Sequence, residues 1–271
     1  MTVNHTYCLN SSTIRPAPLM EKIRIAAKVG YGAIELWTDD LDAYVTAGGR
    51  LGDVQQALSD GGLAVPTVIA LHGWLGSSGP EHAAAMVEAA RRMEQAVAVG
   101  AARIVASPPL EACDLSCAGD QYRGLLELGD RVGIAPAIEF LGFVASVFTA
   151  EQAWQISVDA DHPDASVVMD PFHMLRGGGD IASISLIPGE RVAIWHWNDL
   201  PAQPPASEQS DADRVMPGDG VAPLEQIEKL ARGAGYAGAV SLELFNEAYW
   251  AGDAEQVAAL GLRKMRRFFT S

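Results

Sequence analysis

Short β-rich runs alternate along the chain with longer stretches whose apolar positions recur at helical spacing. This is the pattern of repeated βα units around a parallel sheet. It predicts eight strands, near residues 5–10, 32–37, 63–71, 102–107, 133–142, 165–170, 192–199 and 238–245. Helical spacing falls near 17–29, 52–60, 81–99, 120–131, 149–159, 180–186 and 222–233, with a closing helix near 254–269. Gly32, Gly62, Gly133 and Gly238 stand just before strands, where a helix must end and the chain reverse into the sheet. Eight successive units with no second composition regime predict one domain over residues 1–271, closed as a (β/α)8 TIM barrel. An open dinucleotide-type sheet is the alternative, but its G-x-G-x-x-G turn is replaced in the first unit by CLNSSTIRP. Gly177, Gly178 and Gly179 lack that spacing and read as loop. The polar, Pro-rich segment 200–221 follows the seventh strand, where so long a loop is expected to act as a lid.

Composition narrows the class further. A length of 271 residues suits one barrel without remainder. Nineteen basic against thirty-four acidic residues leave a net charge of -15, which disfavours nucleic acid and anionic lipid surfaces. No apolar run reaches the length of a membrane span, and Met-Thr-Val-Asn-His offers no basic leader, so a cytoplasmic protein is expected. Cys8, Cys113 and Cys117 are expected to be free thiols. Assembly into a homo-oligomer stays open.

Candidate chemistry comes from parity. Barrel strands point alternate side chains inward, so a charged residue at an inward position needs a reason. Ala135, Ala137 and Glu139 share one face of the fifth strand, and Val168 and Asp170 share one face of the sixth. Ile194 aligns with His196 in the seventh, and Ala239 and Ser241 with Glu243 in the eighth. All four polar residues fall at C-terminal strand ends, the face on which barrel enzymes place their sites. Three carboxylates converging there need a counter-charge, and with one imidazole they suit a single divalent cation: Mn²⁺, Zn²⁺, Mg²⁺ or Co²⁺.

The motifs E-F-x-G from 139, D-x-F-H at 170–173, H-x-x-D at 196–199, D-R-V-x-P-G-x-G at 213–220 and S-L-E-L-F at 241–245 then carry a resemblance. Together with Cys8 to Asn10 and Ile34-Glu35, they resemble the xylose isomerase-like sugar isomerase and epimerase barrels, and within them the inosose (2-keto-myo-inositol) isomerases of inositol catabolism. The resemblance spans nearly the whole chain and is strongest from Ile138 to Trp250. It implies Glu139, Asp170, His196 and Glu243 as metal ligands, His173 and Arg214 as substrate contacts, and Glu139 and Glu243 as the groups that handle protons. Asn246 after S-L-E-L-F and the stretch HGWLGSSG near 72–79 depart from the pattern.

Other positions carry two readings each. Glu35, at inward parity with Ala33 and Trp37, either binds substrate hydroxyls or forms a buried structural pair. His173 either donates to a hydroxyl or is a loop histidine, and Arg214 is either a contact or a solvated lid charge. Trp37, His72 and Trp74 form either an apolar wall against a sugar ring or ordinary packing. Asn198 and Asp199 are expected to hold His196 or the lid.

All four lysines, Lys22, Lys28, Lys229 and Lys264, fall in helical segments, so Schiff-base chemistry is disfavoured. No glycine-rich phosphate cradle is evident, which favours an uncharged small-molecule polyol. The expected activity is a metal-dependent isomerase or epimerase acting on an inosose or ketohexose, by α-proton transfer through an enediolate. A dehydratase of a cyclic keto-polyol, of inosose or dehydroshikimate type, is the alternative. An apurinic endonuclease would need more histidines at strand ends, and a polyol sensor would bind without proton exchange.

Overall fold

A computed structural model of the chain describes residues 5–269. Eight parallel strands close into a barrel in chain order. They are β1 (Thr6–Asn10), β2 (Ala33–Trp37), β3 (Val65–Leu71), β4 (Ala101–Ala106), β5 (Ala135–Glu139), β6 (Val167–Met169), β7 (Val192–His196) and β8 (Ala239–Leu242). All eight lie where the hydrophobic pattern places them, most of them shorter. Pairing of β1 with both β2 and β8 leaves no strand edge.

The helix ring differs in more places. Residues 180–186 do not form an α-helix; the segment Ile181–Leu186 winds as a 3₁₀ helix capped by Asp180. Three helices fall outside the predicted set: Thr38–Thr46, Pro171–Arg176 and Glu247–Trp250. The first buries only Thr38 and Leu41, too few apolar positions to print a helical period. The second is short, but its Asp-Pro start is a cap followed by proline at the first helical position. Asn246 caps the third.

Two apolar compartments result. The larger lies between sheet and helices, with Leu9, Ile34, Leu36, Val68, Ile138 and Val240 among its members. A smaller one fills the barrel with Ile69, Ala70, Val105, Ala137, Val168 and Ile194. Ala137, Val168 and Ile194 are the residues whose parity set Glu139, Asp170 and His196 inward, so the barrel interior confirms the assignment of faces.

The segment 200–221 is pinned by Asp199. Its Oδ1 accepts from the amides of Leu200 and Ala222 at 2.8 and 2.9 Å, and its Oδ2 from Gly218 and Gly220 at 3.0 and 3.1 Å. A Cβ at Gly220 would overlap both the Asp199 carboxylate and the Leu200 carbonyl, so only glycine lets the chain return this closely. The three cysteines are free thiols. Among the described residues, no helix is long and apolar enough to cross a membrane.

Candidate metal and active site

The local sequence D-P-F-H builds one side of the site. Asp170 leaves β6 and caps the helix that Pro171 starts, with Oδ1 accepting the His173 amide at 3.2 Å. His173 therefore stands one turn beyond Asp170, over the barrel mouth. Asn198 braces the same corner, donating to Asp170 Oδ2 at 3.1 Å and accepting the Phe172 amide at 3.2 Å.

At the floor, Asp170, His196 and Glu243 each bring one potential ligand atom within 4.8 Å of the others, all buried. Glu139 adds Oε1 at 3.5 Å from His196 Nδ1. Glu243 Oε2 lies 3.0 Å and Asp170 Oδ2 3.6 Å from the same nitrogen. None of the three makes a hydrogen bond with it, and Nδ1 is a buried polar atom without a partner. Each carboxylate has its other oxygen tied by a neutral donor. Ser107 Oγ holds Glu139 Oε2 at 3.1 Å, Asn10 Nδ2 holds Glu243 Oε1 at 2.9 Å, and the His173 amide holds Asp170 Oδ1. Three fixed carboxylates, the inward oxygen of each, and an orphaned imidazole nitrogen form an O₃N donor set that fits a divalent cation, although of the three oxygens only Glu139 Oε1 is free of hydrogen bonds.

Arg214 enters from the 200–221 segment and is 1% exposed. One Nη donates to Asp170 Oδ2 at 2.6 Å and Glu243 Oε2 at 2.8 Å; the other meets Asp211 at 2.6 Å and His173 Nε2 at 2.8 Å. The reading of Arg214 as a solvated lid charge is thus corrected, and part of the counter-charge expected from a cation comes from this guanidinium.

Electrostatics follows from burial. Desolvation, reinforced by Glu243 and Asp170, pushes the Glu139 carboxyl up to about 8 against the pull of His196. Burial raises Glu243 as well. Burial also works against the Asp170 anion, but Arg214, His173 and His196 outweigh it and hold its carboxyl well below the usual range. For His196 burial is outweighed by Glu243 and Glu35, so the imidazole is raised well above its ordinary value. His173 is lowered to about 4, by burial first, and is neutral near pH 7.

Above the floor opens a cavity of about 370 Å³ whose polar lining includes Glu139, Glu243, His173, Asp211 and Arg214. Trp37, Ile69, Leu110, Phe143 and Phe245 add apolar surface, with His72 and Ser107; Phe143 packs on His173 and Phe245 on Arg214. Trp74 is fully buried instead, donating to the Ser107 carbonyl at 2.9 Å and packing on Tyr122, so it belongs to the core and not to the wall. Glu35 also departs from the hydroxyl-binding expectation. It is 0% exposed, does not line the cavity, and has both oxygens engaged: Asn10 at 3.1 Å, His196 Nε2 at 3.3 Å, and the hydroxyls of Thr67 and Ser241.

Asn10, Ser107 and Asp211 are site residues that sequence reasoning did not assign. Asn10 and Ser107 stand at or just past strand ends, the one position-based signal available for them.

A family model of the xylose isomerase-like TIM barrel matches residues 23–268, and the chain belongs to that family. It is 28% identical to a 3-dehydroshikimate dehydratase of Pseudomonas putida over 251 residues, which is 91% of this chain but 39% of that protein. It is 30% identical to an inosose isomerase of Bacillus subtilis over 138 residues, 51% of this chain and 49% of that protein. The chain thus spans half or less of these curated relatives. A zinc-binding IolI protein of 24% identity superposes with a TM-score of 0.91 over 97% of this chain and 98% of its own, a likeness of fold.

Proposed function

We propose that this member of the xylose isomerase-like barrels is a divalent-metal-dependent isomerase or epimerase of an uncharged keto-polyol, an inosose before a free ketohexose. The observation that carries the reading is the convergence of Glu139, Asp170 and Glu243 oxygens on the unpartnered Nδ1 of His196 at the floor of the cavity. A cation held by these four residues supplies Lewis-acid stabilisation for the charge of an enediolate. Glu139 and Glu243 come from β5 and from the end of β8, on different sides of the floor, so one removes the proton next to a ketone and the other returns one. His173, neutral, lines the cavity at the same level; its Nδ1 accepts the Gly142 amide at 3.2 Å and its Nε2 meets Arg214 at 2.8 Å, so a substrate hydroxyl would reach it by sharing Nε2 with the guanidinium.

Charge and surface support the substrate class. Among the described residues lining the cavity, Arg214 is the only lysine or arginine, and Asp170, Glu243 and Asp211 already engage it. A phosphate or carboxylate on the substrate meets no free cation. Trp37, Phe143 and Phe245 suit the C–H face of a ring, with Phe143 packed on His173 at 5.3 Å and Phe245 under the Arg214 guanidinium at 5.4 Å. Inosose isomerase likeness and the zinc of the IolI protein agree with this reading.

A dehydratase is the second reading, favoured by the 91% of the chain that aligns with the 3-dehydroshikimate dehydratase. It shares the α-proton step and differs in expelling a β-hydroxyl. Incubation of the metal-loaded protein with inososes, free ketoses, ketose phosphates and dehydroshikimate in D₂O, followed by NMR, separates the two. Deuterium at the α-carbon of a product that has kept all its oxygens is the expected result, and loss of water identifies the dehydratase. A higher kcat/KM for a phosphorylated or carboxylated substrate overturns the neutral-polyol assignment.

A further inference from the structure

Glu35 is a charged group buried in the middle of the barrel. Its carboxylate has no solvent exposure, and a buried ion is usually no more stabilising than an apolar side chain of similar volume. The surroundings are nonetheless arranged around it. Strand register sets Asn10 beside Glu35 across β1 and β2, and sets Ser241 beside His196 across β7 and β8. Asn10, Ser241, Thr67 and His196 together bring four donors to two oxygens. Of the four, three are neutral and fix the carboxylate in place, and the fourth is the imidazole edge that faces away from the cavity floor.

We propose that Glu35 is the positioning carboxylate of the centre: it accepts the Nε2 proton of His196 and so aims Nδ1 at the point where Glu139 Oε1, Asp170 Oδ2 and Glu243 Oε2 converge. The metal half of this statement rests on the function proposed above; the hydrogen bond does not. An imidazole that coordinates a cation through one nitrogen must keep its proton on the other, and an acceptor placed there selects the tautomer and the ring orientation together. Asn10 extends the control, because the same amide nitrogen that holds Glu35 Oε2 also holds Glu243 Oε1. One side chain thereby sets the rotation of both the ring's anchor and one proton-handling carboxylate. Glu35 touches no cavity space, so its effect passes through His196 and Glu243 and not through substrate.

Glu35→Gln is the sharp variant because size is kept while one acceptor oxygen becomes a donor. Wherever the amide NH₂ turns, it faces the donor edge of Asn10 or of His196. In wild type, ¹⁵N-edited imidazole NMR is expected to show a His196 Nε2 proton protected from exchange, identified by its loss in His196→Asn. In Glu35→Gln this proton is expected to lose protection, and Zn²⁺ affinity measured by chelator competition to fall by about 10- to 100-fold, as for outer partners of metal-bound histidine. The Zn²⁺-loaded wild type should show His196 coordinated through Nδ1. No protected Nε2 proton in wild type, coordination through Nε2, or unchanged Zn²⁺ affinity in the variant each overturns the proposal. If Glu35→Gln does not fold, the wild-type spectrum alone decides it. Wild type that binds no Zn²⁺ but keeps the protected Nε2 proton overturns the metal-dependent function and leaves the Glu35–His196 bond standing.

Discussion

The two halves of the barrel mouth are built on opposite principles. The half formed by β5 to β8 gathers Glu139, Asp170, His196, Glu243 and Arg214 in a buried, charged and hydrogen-bonded floor. The half formed by β2 to β4 and the loops after them presents Trp37, Ile69, Pro108, Pro109 and Leu110, with Leu110 70% exposed. Charges on one side are worth more because they sit out of water, and groups held by neighbours lose little on meeting a substrate. An apolar wall holds a ring without directing any bond. Apart from Glu35 and Ser107, which reach across to His196 and Glu139, the contrast sets expectations: variants of the first half should change turnover, and variants of the apolar wall should change substrate preference.

The largest effect is expected at the two glutamates. Glu139→Gln and Glu243→Gln keep volume and remove basicity, so α-proton exchange should fall by about 10²- to 10⁴-fold, and chelation of wild type should abolish it. A folded variant exchanging at the wild-type rate removes that residue from proton transfer.

Next is Arg214. Arg214→Met leaves Asp170, Glu243 and Asp211 without their common partner, and uncompensated buried charge costs roughly 3–5 kcal/mol. The metal-free variant should melt far below metal-free wild type, and added Zn²⁺ should recover part of the difference. An unchanged melting temperature means that the floor does not depend on this guanidinium.

The pH dependence of the metal-free protein should follow the same half. Glu139, Glu243 and His196 all have folded-state values raised above their ordinary ones, so they bind more protons folded than unfolded. Stability from such groups is fully present below the unfolded value and is lost as pH rises through the folded one. For Glu139 that interval runs from about 4.5 to about 8. His173, lowered to about 4, works in the opposite direction only below its unfolded value of 6.5. Between pH 6.5 and 8 the metal-free protein should therefore lose on the order of 2 kcal/mol through Glu139 alone. Denaturant titrations across that window measure it, and Glu139→Gln should flatten the slope. Because a cation displaces the same protons, Zn²⁺ affinity should rise over the same range.

The smallest effect belongs to the apolar wall. Leu110→Ser should leave the melting temperature and kcat nearly unchanged and raise KM for a ring substrate a few-fold, an energy of about 1 kcal/mol or less. A large fall in kcat would place chemistry in the apolar wall, where none is assigned.

The charged half was also the more legible one. Period-two alternation puts Glu139 in line with Ala137, and Asp170 in line with Val168, in any parallel barrel, so inward parity identified the acids without coordinates. The apolar half carries no such contradiction between residue type and position. Trp37 and Trp74 look alike in sequence, yet Trp37 lines the cavity and Trp74 is sealed in the core. The short helix after Asp170 leaves no periodic signal because six residues hold too few apolar positions, although its cap is written in the Asp-Pro pair.

Alternation of apolar runs determined the eight strands, their order and the inward face of each, because those properties depend on neighbours within one strand or one βα unit. Tertiary structure decided everything that depends on which strands meet. Glu35 and His196 are 161 positions apart, and Asn10 and Glu243 are 233 apart. Nothing local ties those pairs together, so whether Glu35 faced substrate or histidine was open until barrel closure brought β1 against β8. Arg214 makes the same point from a loop. Its charge is in the sequence, but its burial between two carboxylates exists only because Asp199 folds the segment back over the mouth.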